Sequence, residues 1–159
     1  MKERQGGFSL IELLVVVAII LIIAAIAIPN FLRAKISANE SSAVSSVHAV
    51  DTAEIGYASM YFNIGYSVAL ADLGTGGQNP CPATATASCF IDPTLASGTK
   101  SGYVFTYVQN GSVTPSIQFT INADPLTMNI TGQRGFFSDE SNVIRYNSSG
   151  PANVGSPPL

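Results

Sequence analysis

The chain has 159 residues, of which 47% are hydrophobic and only 11% charged, against about 25% charged in an ordinary soluble domain. Its net charge is −3 and its sequence pI about 4.9. No run of Lys and Arg forms the basic stripe that phosphate binding draws on, so nucleic-acid binding is not its main business. A single histidine, two cysteines and no tryptophan leave a thin inventory for catalysis.

The apolar residues crowd the N-terminal end. From Phe8 to Ile28 run 21 residues interrupted only by Ser9 and Glu12. As a helix rising 1.5 Å per residue, such a run spans about 30 Å, the thickness of a bilayer's hydrocarbon core. Three readings compete. A secretory signal peptide accounts for Lys2, Arg4 and the small-x-small sequence Ala25-Ile26-Ala27, but its apolar core is ordinarily only about 7–15 residues. A plain signal anchor accounts for the length and leaves Glu12 without a purpose. A carboxylate inside a spanning helix costs about 2.5–3.5 kcal/mol at the centre, less towards the ends.

The third reading starts from Gly6-Gly7-Phe8-Ser9-Leu10-Ile11-Glu12-Leu13. This sequence resembles the processing site of type IV prepilins and their pseudopilin relatives, and the likeness extends over residues 1–35. Ile28-Pro29-Asn30-Phe31 adds to it, because the family often has a proline at this depth. The resemblance implies a leader, 1–7, that ends at Gly7. A prepilin peptidase would cut before Phe8, and the new amino terminus would be N-methylated. Such an amine has a pKa of about 8, so it is largely positive at neutral pH. In the assembled family, the residue matching Glu12 meets the amino terminus of a neighbouring subunit. Opposite charges in a low-dielectric filament core attract strongly, and an unpaired carboxylate there is costly. Phe8 and Glu12 are thus the expected assembly residues, with apolar contacts supplying most of the adhesion.

The same resemblance implies an α+β, type IV pilin-like fold. Its N-terminal helix, 8–62, would have 8–28 as transmembrane segment and later filament core, and 63–159 would form a globular head. It implies a single-pass protein of the inner membrane before assembly and an extracellular pilus filament afterwards. The expected partners are copies of itself, the prepilin peptidase, the inner-membrane assembly machinery and, before assembly, membrane lipid. The expected role is structural, not enzymatic, in adhesion, motility or a related surface process, without cofactor or metal and with no nucleic acid evident. A pseudopilin of a type II secretion system, or a membrane-anchored binding domain that never polymerises, are the alternatives. Lys2 and Arg4 on one side of the span balance Arg33 and Lys35 on the other, so the positive-inside count does not orient it.

Pro29 removes a backbone donor and crowds the preceding turn, which predicts a kink or break near residues 25–29. Helical signal resumes at Asn30 and runs to Phe62. Val44, Val47, Val50, Ala53, Tyr57 and Tyr61 recur at three- and four-residue steps and form one apolar stripe. Arg33, Lys35, Glu40 and Ser41 are read as lying off it. His48 has no second histidine or nearby cysteine to join it as a metal ligand, and is read as a surface or boundary residue.

Beyond residue 62 turn residues multiply. Pro80-Cys81-Pro82 and Ser88-Cys89-Phe90 bracket a short loop, and in an oxidising compartment a Cys81–Cys89 disulfide is the natural reading. Alternation then predicts about four antiparallel strands with one apolar face turned to the helical stripe. The candidates are Tyr103–Val108, Ile117–Asn122, Leu126–Ile130, Arg134–Phe137 and Val143–Tyr146, with a turn at Asn110-Gly111. Ser138–Asn142 offers oxygen ligands without a recognisable cation-loop pattern and is read as a solvated turn. The tail from Ser148 is expected to be loose or strapped to the surface.

Overall fold

The structure, a computed structural model, describes residues 8–111 and 114–159. One helix, α1, runs over Leu10–Met60. A 3₁₀ turn at Leu70–Leu73 and a short helix α2, Pro93–Ala96, precede five strands. These are β1 Thr99–Lys100, β2 Tyr103–Asn110, β3 Gln118–Pro125, β4 Gly135–Asp139 and β5 Arg145–Asn147. They form one antiparallel meander in the order β1-β2-β3-β4-β5. A long apolar helix followed by an antiparallel sheet is the expected α+β, type IV pilin-like arrangement. The chain divides into two compact units, the first ending at Lys35 and the second spanning Ile36–Leu159.

Among the described residues of the first unit nothing covers the helix. Leu10, Ile11, Leu13, Leu14 and the aliphatic residues that follow are all exposed. The segment is long and apolar enough to cross a membrane, and none of it is buried. Soluble monomers rarely leave contiguous apolar patches beyond a few hundred Å² in water, so this surface requires lipid or protein around it. Helical structure continues through Pro29, so a break there does not occur. The ring fixes a φ that suits a helix and removes only the one hydrogen bond to the carbonyl a turn earlier.

In the second unit the helix from Ile36 onward packs on the sheet. Ala43, Val47, Val50, Ala53 and Tyr57 are buried and share one core with Tyr103, Phe105, Phe119, Ile121, Ala123 and Phe136. The register explains why. Phe105 lies opposite Ala123 and Ala123 opposite Phe136, so alternate residues of three strands present one face. Each fully buried Val, Ile or Phe contributes about 1.5–3 kcal/mol relative to exposure. Valines and alanines on the helix leave room for the aromatic rings of the sheet. Val44 and Tyr61, at the edges of the stripe, are partly buried.

Two further expectations fail. Glu40 is not off the stripe: it is buried, with Asp51 and Glu54 further along the same face. Leu126–Ile130 is not a strand. Pro125 ends β3, Thr127 and Thr131 close a turn through backbone and side-chain hydrogen bonds, and Asn129 is left-handed at φ 64°. A left-handed residue cannot continue a strand. With no strand beside them, Leu126 and Ile130 remain 67% exposed.

The tail is strapped down. Asn122 Nδ2 donates to Ala152 O at 2.7 Å, Arg145 Nη1 to Ser156 O at 3.0 Å, and Tyr146 N to Pro157 O at 3.0 Å.

Candidate functional site

The helix start carries the residues that the sequence singles out for assembly. Ser9 is the last residue before α1, and Glu12 is its third helical position. Ser9 N donates to Glu12 Oε2 at 3.0 Å, which is one half of a capping box. The carboxylate thereby satisfies a backbone donor that the first helical turn leaves without a partner, and its charge opposes the positive end of the helix dipole. Phe8, Ile11, Val15 and Val16 surround it, forming an apolar hollow with one acidic group at its edge. Phe8 is 80% exposed. Gly7 lies outside the described residues.

In the second unit another feature stands at the C-terminal end of α1. Cys81 and Cys89 form a disulfide with Cα atoms 6.2 Å apart, inside the ordinary range. Tyr57 Oη donates to Ala85 O at 2.7 Å and Tyr61 Oη to Ala83 O at 3.0 Å. These tyrosines are four residues apart, one helical turn, and they hang the loop on the helix. Its far side is tied to the 3₁₀ turn, because Phe90 N and Ile91 N both donate to Leu73 O. Cys89→Ser is expected to lower the stability of this unit by about 2–3 kcal/mol, since a small loop is then free in the unfolded chain. Urea unfolding measures that loss, and the helix–sheet core should persist. Two alkylatable thiols in fresh, unreduced protein would contradict the bond.

The remaining sequence candidates are dispersed. His48 is exposed on α1, its ring 3.3 Å from Thr52 Oγ1. Asp139 folds back on its own turn, accepting from Ser141 N at 2.9 Å. The buried helix face also carries carboxylates: Asp51 and Glu54, which the apolar spacing does not single out, and Glu40, which is expected off the stripe. Glu40 Oε2 meets Arg134 Nη2 at 2.8 Å and Nε at 2.9 Å, while Oε1 accepts from the backbone of Gln133 and Arg134 at 2.8 and 3.2 Å. Their spacing from Val47 and Val50 was the available signal, since all share one helical phase. The Ser9-x-x-Glu12 capping signature was likewise readable.

Residues 2–28 match the prokaryotic N-terminal methylation motif. The chain carries the prepilin-type N-terminal signature. Known proteins extend the likeness. Over 53 residues the chain is 49% identical to the type IV major pilin protein PilA of Myxococcus xanthus (strain DK1622). Over 52 residues each, it is 40% and 36% identical to type II secretion system core protein G of Aeromonas hydrophila and of Dickeya chrysanthemi. Each match covers 33% of this chain and, in the same order, 24%, 36% and 34% of the relative. The chain thus spans about a quarter to a third of the length of the curated relatives it matches. No solved structure matches it.

Proposed function

We propose that this chain is the structural, non-enzymatic subunit of a type IV pilus-like extracellular filament, assembled through its N-terminal helix. One observation carries the reading. An apolar helix left uncovered among the described residues begins at Leu10, inside the N-terminal methylation motif. In a precursor that surface is met by inner-membrane lipid, and in a filament by the same helix of other copies. A prepilin peptidase cuts between Gly7 and Phe8, Phe8 is methylated, and the inner-membrane assembly machinery draws the subunit from lipid into the polymer. The head, carried outside the cytoplasm, presents its disulfide loop and sheet to the surroundings.

A type II secretion pseudopilin is the second reading, favoured by the two core protein G relatives. Both readings share the cut and the helix, and differ in what the filament serves. Material sheared from cells, viewed by electron microscopy and analysed by mass spectrometry, is expected to contain filaments of a chain beginning at methylated Phe8. A mature chain beginning at Ile28 would establish a cleaved signal peptide and remove the assembly argument.

A further inference from the structure

Two carboxylates lie at the centre of the helix–sheet seam, and among the described residues neither has a Lys or Arg partner. Asp51 is 4% exposed and Glu54 fully buried, one turn apart on the core face of α1. Ser138 of β4 donates its hydroxyl to Asp51 Oδ2 at 2.7 Å, while Asp51 Oδ1 is buried without a partner. The charged or titratable groups that face Asp51 are His48 and Glu54 on its own helix and Asp139 on β4. Glu54 accepts from Ser67 N at 2.9 Å and from the Ser67 hydroxyl. Tyr107 of β2 and Asp72 of the 3₁₀ turn stand near it. Only Glu40, further towards the N-terminus, has an ionic partner on this face among the described residues.

We propose that this seam is a proton-operated clamp: uptake of protons by Asp51 and Glu54 removes buried like charges and tightens the helix against β2 and β4, so the head is stiffest at mildly acidic pH. A buried anion without a cation is costly, and the neutral acid is much less so. In the neutral form, the unpartnered Asp51 oxygen no longer carries charge. The Ser138 and Ser67 hydroxyls can still bond the neutral acids, because a hydroxyl both donates and accepts, but their bonds to the charged form are the stronger. Burial, reinforced by Asp139 and Glu54 and opposed by Ser138 and His48, pushes the Asp51 carboxyl up to about 6. Burial also raises Glu54, against the hydrogen bonds from Ser67. The folded values exceed the unfolded ones, so the stabilisation is complete below the unfolded value. It is lost as pH rises through the folded value. For Asp51 that window runs from about 4 to about 6. Asp92, held low by Lys100, titrates beneath it. The clamp does not depend on the filament reading.

The full chain in nonionic detergent is unfolded with urea at pH 5.0 and 7.5. All six tyrosines lie at or beyond Tyr57, so their fluorescence reports this unit and not the apolar span. The Asp51 contribution alone is expected to make the unfolding equilibrium constant about tenfold smaller at the lower pH. Asp51→Asn, close in shape to the neutral acid, should raise stability at pH 7.5 and shrink the difference. Glu54→Gln should shrink what remains, and His48→Gln should leave the sign unchanged. Ser138→Ala removes the hydroxyl that supports the charged form and should widen the difference. Greater wild-type stability at pH 7.5 than at 5.0 would overturn the clamp. So would an Asp51→Asn chain that fails to fold or keeps the full pH difference, or a Ser138→Ala chain with a narrower one.

Discussion

Replacing Glu12 by Gln is expected to leave the precursor inserted, cleaved and folded while filament yield falls tenfold or more. The structure gives Glu12 a second duty that sharpens this test. Its Oε2 accepts from Ser9 N at 3.0 Å and so caps its own helix. Gln retains an oxygen for that cap, as in the Gln form of the capping box. It lacks the charge that would meet a neighbour's amino terminus. Insertion should be unharmed or improved, since a charge has left the apolar run. On the proposed function, assembly would lose the attraction that sets register. A charged pair worth about 1.4 kcal/mol per contact already changes each subunit-addition equilibrium tenfold. Glu12→Ala removes both the cap and the charge. If capping alone matters, only Ala will be defective; if the charge matters, both will be. Cleavage must be followed in the same samples, because a processing defect imitates an assembly defect. Correctly cleaved Glu12→Gln protein that forms wild-type amounts of filament would sink the charge-pairing mechanism and leave the filament reading standing.

The parts legible in the sequence were those governed by one period at a time. Val47, Val50, Ala53 and Tyr57 declared the core face of the helix through their 3.6-residue spacing, and Phe119 and Ile121 declared theirs by alternation. The same alternation misled at Leu126, Met128 and Ile130. Periodicity reports which side chains would share a face, not whether a strand stands alongside to supply the hydrogen bonds. There Pro125 and a left-handed Asn129 turn the chain instead. Cys81 and Cys89 could be paired on the expectation of an oxidising compartment, which leaves two nearby cysteines few alternatives. The buried acids were hidden for a different reason. A charged residue in phase with an apolar stripe is normally discounted, and only the tertiary partner shows why it is there. For Glu40 that partner, Arg134, lies 94 residues away.

Breaking that pair at Glu40 should have the largest effect on the head itself. Glu40 joins α1 to the segment between β3 and β4 through both of its oxygens. Oε2 takes the Arg134 guanidinium, which also lies 5.5 Å from the Phe136 ring centre and 5.7 Å from that of Tyr146. Oε1 takes two backbone N–H groups. One residue earlier, Asn39 Nδ2 donates to Thr131 O at 2.8 Å and ties down the same segment. Breaking a buried pair from one side costs about 3–5 kcal/mol. The Arg134 side chain is 39% exposed, so water recovers part of that, and Glu40→Ala should cost about 2–4 kcal/mol. Glu40→Gln should fare little better, although it is nearly isosteric. Both sides of this site offer donors, and an amide has only one oxygen to set between them. With that oxygen on the backbone, its NH₂ faces the guanidinium; reversed, it faces Gln133 N and Arg134 N. Urea unfolding should therefore rank Ala and Gln together, well below the wild type. Hydrogen exchange at the Gln133 and Arg134 amides should accelerate in both. Gln at wild-type stability would show that one oxygen suffices and that the ion pair contributes little. Ala within about 0.5 kcal/mol of wild type, the scale of an ordinary surface substitution, would remove Glu40 as the anchor between helix and sheet.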